Sequence, residues 1–209
     1  MSQDHEYALL GGFNRSHVGR WIFMGSAAVS AVLVFLLLSA VDVAAKLGWP
    51  VNLPPAALSL IGAGSVYLAL YFLFDKFAWK IGPISRALKI PNLAGNWRCE
   101  GLSTDKTPPF PWTGTITVSQ SWDRVRVHLK TAHSASNSVA AALVCDPVGG
   151  HRLMYHYKNE PRQGEAELHA HHGFADMVFS ADGKTAHGEY FNGRGRNTFG
   201  EMKLTKDAA

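Results

Sequence analysis

The 209-residue sequence is poor in the groups that staple, ligate or attack. It has two cysteines, Cys99 and Cys145, far apart and without metal-ligand spacing. That excludes a disulfide framework and a cysteine-based zinc site, and reads as reduced thiols in a cytosolic domain. HEXXH, CXXC and GXSXG are all absent, and Phe191-Asn192-Gly193-Arg194-Gly195-Arg196 lacks the Walker pattern and does not open a helix. Nothing in the sequence points to an enzyme. A strong charge of one sign is missing too. The net charge is +4, but from Ile90 onward 13 Lys/Arg face 12 Asp/Glu. The excess sits at Lys76, Lys80, Arg86 and Lys89, beside an apolar block, which marks membrane topology and not a DNA or RNA surface.

Charge is most completely absent from two runs. Trp21–Val41 carries none over 21 residues, about the length a helix needs to cross a ~30 Å hydrocarbon core. A cleaved signal peptide is the rival reading, but its apolar region is usually shorter and no second apolar run follows it. Here Ala56–Phe74 does follow, again uncharged, after a connector rich in Gly48, Pro50, Pro54 and Pro55. Small residues on both runs, among them Gly25, Ser26, Ser30, Gly62 and Gly64, permit close helix packing. The connector holds one lysine, whereas basic residues flank the outer ends of both runs. The positive-inside rule therefore puts both termini in the cytoplasm. The expected organisation is an N-terminal segment over 1–20, a transmembrane helical hairpin over 21–74, a basic juxtamembrane linker over 75–90, and a cytosolic domain over 91–209.

The last segment alternates apolar and polar residues between turn signals. Expected strands are Asn96–Gly101, Gly114–Ser121, Arg124–Lys130, Ser138–Cys145, His151–Lys158, Glu165–His171, Ala175–Ser180, Thr185–Phe191 and Asn197–Thr205. The predicted fold is thus a membrane protein, a two-helix hairpin followed by an all-β antiparallel barrel of about eight strands. Closure is favoured over a sandwich because it removes exposed edges.

Period-two alternation sorts the side chains. Trp97 and Cys99 share one face, as do Tyr155, Tyr157 and Asn159. The last strand carries Arg196, Thr198, Gly200, Met202 and Leu204 together, passing from polar to apolar. The predicted interior is apolar at one end and polar at the other, a cup for an anionic, ring-bearing ligand. Arg194 and Arg196 would pair with phosphates and Tyr155, Tyr157, Tyr190 or Trp97 would stack on bases, with Asn159 and Thr198 toward the polar end. The alternative is that these aromatics only fill a small barrel. His169, His171 and His172 have no further ligand at metal spacing and read as surface or rim residues.

Several segments, taken together, resemble a known family: LAGNWRCEG (93–101), YHYKNEP (155–161), HHG (171–173) and GEYFNGRGRNTFGEMKL (188–204), behind an apolar hairpin. The chain resembles the two-transmembrane β-barrel effectors of bacterial CBASS antiphage signalling, which act in a STING-like way. The resemblance implies a receptor for a cyclic dinucleotide made by a partner cyclic-nucleotide synthase, with no other cofactor. It also implies homo-oligomerisation on activation and disruption of the bacterial inner membrane. The other expectation left standing is a membrane-anchored lipocalin-like carrier or scaffold without a nucleotide ligand.

Overall fold

The computed structural model describes residues 4–49, 51–105, 107–146, 150–162, 169–193 and 197–207. The chain divides into two units, residues 13–79 and the remainder from both sides of that segment.

Helix α1, Arg15–Lys46, runs 32 residues and so spans about 48 Å, beyond the predicted Trp21–Val41 at both ends. Asn14 caps it, its side-chain oxygen accepting from the Ser16 amide at 2.8 Å. The second apolar run is broken. Helix α2, Pro55–Leu60, stops at Ile61, and α3, Ala63–Lys76, starts after Gly62. Two helical stretches, Arg15–Lys46 and Leu58–Lys80, are long and apolar enough to cross a membrane. At the break the Ser30 hydroxyl of α1 donates to the Ile61 carbonyl. An interruption inside lipid is tolerated when such a side chain re-satisfies the freed backbone group. Ser26 and Ser30 are buried in this unit, and the Phe23 and Tyr67 rings meet at 6.1 Å.

A short 3₁₀ turn, Ala78–Lys80, and helix α4, Gly82–Leu88, lie in the stretch expected as a basic juxtamembrane linker over 75–90. Nine strands follow the ring of a closed barrel among the described residues: β1 (His5–Leu10), β2 (Gly95–Ser103), β3 (Phe110–Gln120), β4 (Arg124–Thr131), β5 (Ser134–Asp146), β6 (Gly150–Pro161), β7 (His171–Phe179), β8 (Thr185–Gly193) and β9 (Phe199–Lys206). From β2 to β9 each strand pairs antiparallel with the next except where β1 intervenes, and β9 returns to β2.

The exception is instructive. β4 and β5 pair as a hairpin only near their turn, at His128–Lys130 with Ala135–Asn137, and then part. A bulge between Ser138 and Ala140 marks the divergence. β1 fills the gap, antiparallel to β4 at His5↔Val125 and parallel to β5 from Tyr7↔Ala141 to Leu10↔Val144. Tyr7 is 4% exposed, so the strand is part of the core. The sequence reading left residues 1–20 outside the barrel. The expected strand Glu165–His171 also changes: residues 165–168 lie outside the described residues, His169 and Ala170 are not strand, and His171 opens β7.

One end of the barrel is filled. Trp97, Ile116, Leu143 and Met177 are almost completely buried. Leu88, Ile90 and Leu93, from the segment entering β2, are buried as well. Buried Gln120 holds that segment, accepting from the Leu93 amide at 2.7 Å and donating to the Pro91 carbonyl at 3.2 Å. Each donor and acceptor pair satisfied there removes a cost of about 1–3 kcal/mol for an orphaned buried group.

Candidate ligand-binding site

The other end is open. The ends of β2, β4, β6 and β8 and the starts of β3, β5, β7 and β9 meet there. They enclose a cavity of about 500 Å³, within the roughly 300–1,000 Å³ of small-ligand sites. Its walls carry Tyr155, Tyr157, Tyr190 and Trp112 with a set of polar side chains.

β6 presents Tyr155, Tyr157 and Asn159 on one face by its alternation, and all three are buried and line the cavity. The two tyrosine rings lie 6.0 Å apart at 50°. Room for Tyr157 comes from Gly173 on β7, directly opposite, where a Cβ would stand 2.3 Å from the ring. The Tyr157 hydroxyl donates to Asn192 Oδ1 at 2.8 Å, and Asn192 Nδ2 donates to Thr198 Oγ1 at 2.7 Å. This relay ties β6 to the two ends of the β8–β9 connection. Burial, and then the neighbouring Tyr157 and Cys99, pushes the Tyr155 hydroxyl pKa upward, so it stays a neutral donor.

A second aromatic pair faces in from β3 and β8. Trp112 and Tyr190 meet edge to face at 5.7 Å. The Tyr190 hydroxyl shares a hydrogen bond with Ser103 at 2.7 Å and accepts from Trp112 Nε1 at 3.1 Å. The Tyr190 hydroxyl is therefore fixed from two sides.

Five of the eight residues singled out in the sequence, Tyr155, Tyr157, Asn159, Tyr190 and Thr198, meet in this cavity. Arg194 and Arg196 lie outside the described residues. Their segment leaves from Asn192–Gly193 and returns at Asn197–Thr198, and Asn192 and Thr198 both line the cavity. Trp97 does not belong here. It is fully buried at the filled end, its indole N–H donating to the Leu93 carbonyl at 3.1 Å and its ring against Phe179 at 5.3 Å.

Sequence reasoning also passed over residues that line the space. Trp112 shares parity with Ile116 and Val118, but it precedes the expected strand Gly114–Ser121 and follows Pro108-Pro109, a turn signal. Asn192 is two positions from Tyr190 on the same face. His171 is not a surface residue. It is 5% exposed, lines the cavity and donates from Nδ1 to the His169 carbonyl at 3.0 Å, which directs Nε2 away from that carbonyl. His172 faces out and stacks on His156 at 5.1 Å. Asp105 also lines the cavity, with Oδ1 buried and without a hydrogen-bond partner among the described residues.

Comparison with known proteins places this architecture. Residues 88–206 match the family model for the Cap15 cyclic dinucleotide receptor domain, and residues 16–80 match the model for the Cap15 TM helices. The chain belongs to the Cap15 family. It is 41% identical over 204 residues to CD-NTase-associated protein 15 of Yersinia aleksiciae, covering 98% of each chain. It is therefore a CBASS effector, with a receptor domain and membrane-associated helices. The receptor match begins at residue 88 and so does not include β1, although β1 completes the barrel of this Cap15-family chain.

Proposed function

We propose that the open cavity is a receptor site for a cyclic dinucleotide supplied by a companion cyclic-nucleotide synthase. The observation that carries this reading is the pairing of Tyr155–Tyr157 with Trp112–Tyr190 around one space whose remaining walls are polar. Two aromatic pairs answer two nucleobases by stacking, worth about 1–3 kcal/mol per base. Asn159, Thr198 and Asn192 supply donors and acceptors to base edges and sugars. Arg194 and Arg196, on the segment returning to Thr198, answer the two phosphates. The Asp105 carboxylate, with one buried oxygen, accepts from a base N–H. A purely apolar ligand would strand these polar groups, which argues against a lipocalin-like carrier.

Binding then drives homo-oligomerisation, and the gathered hairpins disrupt the bacterial inner membrane. Both termini and the barrel lie in the cytoplasm, where the synthase product appears. The chain acts as a non-catalytic receptor. A ligand shifts such an equilibrium only by its differential affinity for the assembled state.

The test is a thermal-shift screen of the full chain in detergent micelles against cyclic di- and trinucleotides. A ligand at a hundredfold excess over its Kd stabilises the native state by about 2.7 kcal/mol. Tyr157→Ala and Arg196→Ala should each remove that shift while the unliganded chain still melts cooperatively. A panel that produces no shift with wild type, or variants that bind as wild type does, refutes the proposal.

A further inference from the structure

The outer surface of the barrel is uneven in a way the cavity does not explain. On β7, β8 and β9 the outward positions form two cross-strand rows. Phe174 pairs with Phe191, and Phe191 with Phe199; in the next row Asp176 pairs with Glu189, and Glu189 with Glu201. Phe191 is 56% and Phe199 is 55% exposed, and the Phe174 and Phe191 rings stack at 5.6 Å. Asp176 is bound by Arg152, Nε to Oδ1 at 3.1 Å. Glu189 and Glu201 stand directly opposite each other, and among the described residues neither is within ion-pair distance of a cation. Like charges so placed are destabilising, and a row of exposed phenylalanines beside them adds an apolar strip.

The opposite side of the ring has the complementary pattern. Going from β8 to β4, β9, β2 and β3 lie between on one side and β7, β6, β5 and β1 on the other. The outward residues of β4 are Arg124, Arg126, His128 and Lys130, with Glu6 of β1 beside Arg124. Among the described residues no carboxylate lies within ion-pair distance of Arg126 or Lys130. Arg126 is oriented by a neutral group, with Nε at 3.1 Å and Nη2 at 2.7 Å from Asn137 Oδ1, and His128 Nδ1 lies 2.9 Å from the same oxygen. The guanidinium is held in place with no carboxylate beside it among the described residues.

We propose that barrels of this chain associate head to tail, the phenylalanine–glutamate face of β7–β9 on one copy docking onto the arginine–lysine face of β4 on the next. Arg126 and Lys130 then pair with Glu189 and Glu201, and the guanidinium also finds aromatic faces on which to stack. Because the two faces differ and lie on opposite sides of the ring, the contact is heterologous. Each added copy leaves one face of each kind open, so the assembly grows as a ring or a filament and does not stop at a dimer. The face is also next to the cavity in sequence. Tyr190 and Asn192 point inward on either side of outward Phe191, and Thr198 immediately precedes Phe199. This names the surface for the oligomerisation proposed above and rests on that reading for its role in activation.

The experiment is sedimentation velocity on the full chain in detergent micelles across a concentration series at low and high salt. It is run ligand-free and with a mixture of the 3′–5′-linked cyclic dinucleotides of A, G, C and U. The wild type should form species larger than a dimer, less readily at high salt. Glu189→Arg with Glu201→Arg, and separately Arg126→Glu with Lys130→Glu, should each raise the concentration needed by at least about tenfold. Mixing the two variants restores one intact pair of faces and should recover association. A wild type that stays monomeric in every condition, variants that assemble as it does, or a mixture that fails to recover each overturns the proposal. Thermal shifts on the same samples keep the two readings apart. Variants that keep the ligand shift but lose assembly place the contact outside the cavity. A wild type that assembles without any ligand shift upholds the interface and removes the cyclic dinucleotide.

Discussion

Replacing Tyr7 with alanine tests the least expected feature of the fold, the N-terminal strand inside the barrel. Tyr7 is 4% exposed and pairs with Ala141 where β1 runs parallel to β5. Its hydroxyl reaches the Ser121 carbonyl at 3.5 Å, a long contact beside the burial of the ring. Truncating a buried aromatic to alanine costs about 3–5 kcal/mol. The lower figure is appropriate for a six-residue strand that can shift to relax the cavity. For a domain of this size about 3 kcal/mol lowers the melting temperature by on the order of 10 °C. The assay is a near-ultraviolet circular dichroism melt of the full chain in detergent micelles, with Glu6→Ala as the control. Glu6 is exposed and points outward, so its loss should change stability by no more than about 0.5 kcal/mol. If Tyr7→Ala melts within about 2 °C of wild type, β1 does not pack in the barrel and the nine-strand ring is wrong. A chain begun at residue 88, where the receptor-domain match begins, should for the same reason be less stable and more prone to associate through its open β4 and β5 edges.

Two further outcomes follow from the interior. Gly173→Ala places a methyl group 2.3 Å from the Tyr157 ring, which must swing out of its position and break the Asn192 and Thr198 relay. Ligand-induced thermal shift should fall by at least about tenfold in apparent affinity, and an unchanged affinity would mean that Tyr157 does not shape the site. Burial, reinforced by Glu100, raises the Cys99 pKa from 9.0 to about 12. The native state then keeps a proton that the unfolded chain loses, so this contribution to stability is present below about pH 9 and is lost as pH rises towards about 12. Three units at ~1.36 kcal/mol each give about 4 kcal/mol at most. Denaturant midpoints at about pH 8 and about pH 11 should fall less steeply for Cys99→Ala than for wild type, and parallel losses in the two proteins would sink the argument.

Alternation alone told inside from outside along most strands, and it set Tyr155, Tyr157, Asn159 and Thr198 on faces that line the cavity. It cannot tell how far along the barrel an inward side chain sits, and Trp97 shows the consequence. The height was recoverable from antiparallel order. Trp97 lies near the start of its strand, and its neighbour on β9 is Lys206, two residues past Leu204 and at the apolar end of the polar-to-apolar run. It therefore belongs level with Phe179, and not with Thr198 at the start of that run. β1 was not recoverable in this way. HEYALL offers only Tyr7 and Leu9 as inward apolar positions, and it pairs in parallel with a strand more than 130 positions away. Local pattern carries no information about such a partner. The consequence reaches the organisation of the molecule. Residues 13–79 are inserted between the first strand of the barrel and the rest, with only residues 11–14 separating β1 from α1. The receptor is not a domain hung on the end of a hairpin. Its closure requires chain from both sides of the membrane-associated segment, because β1 fills the gap that β4 and β5 leave in the ring.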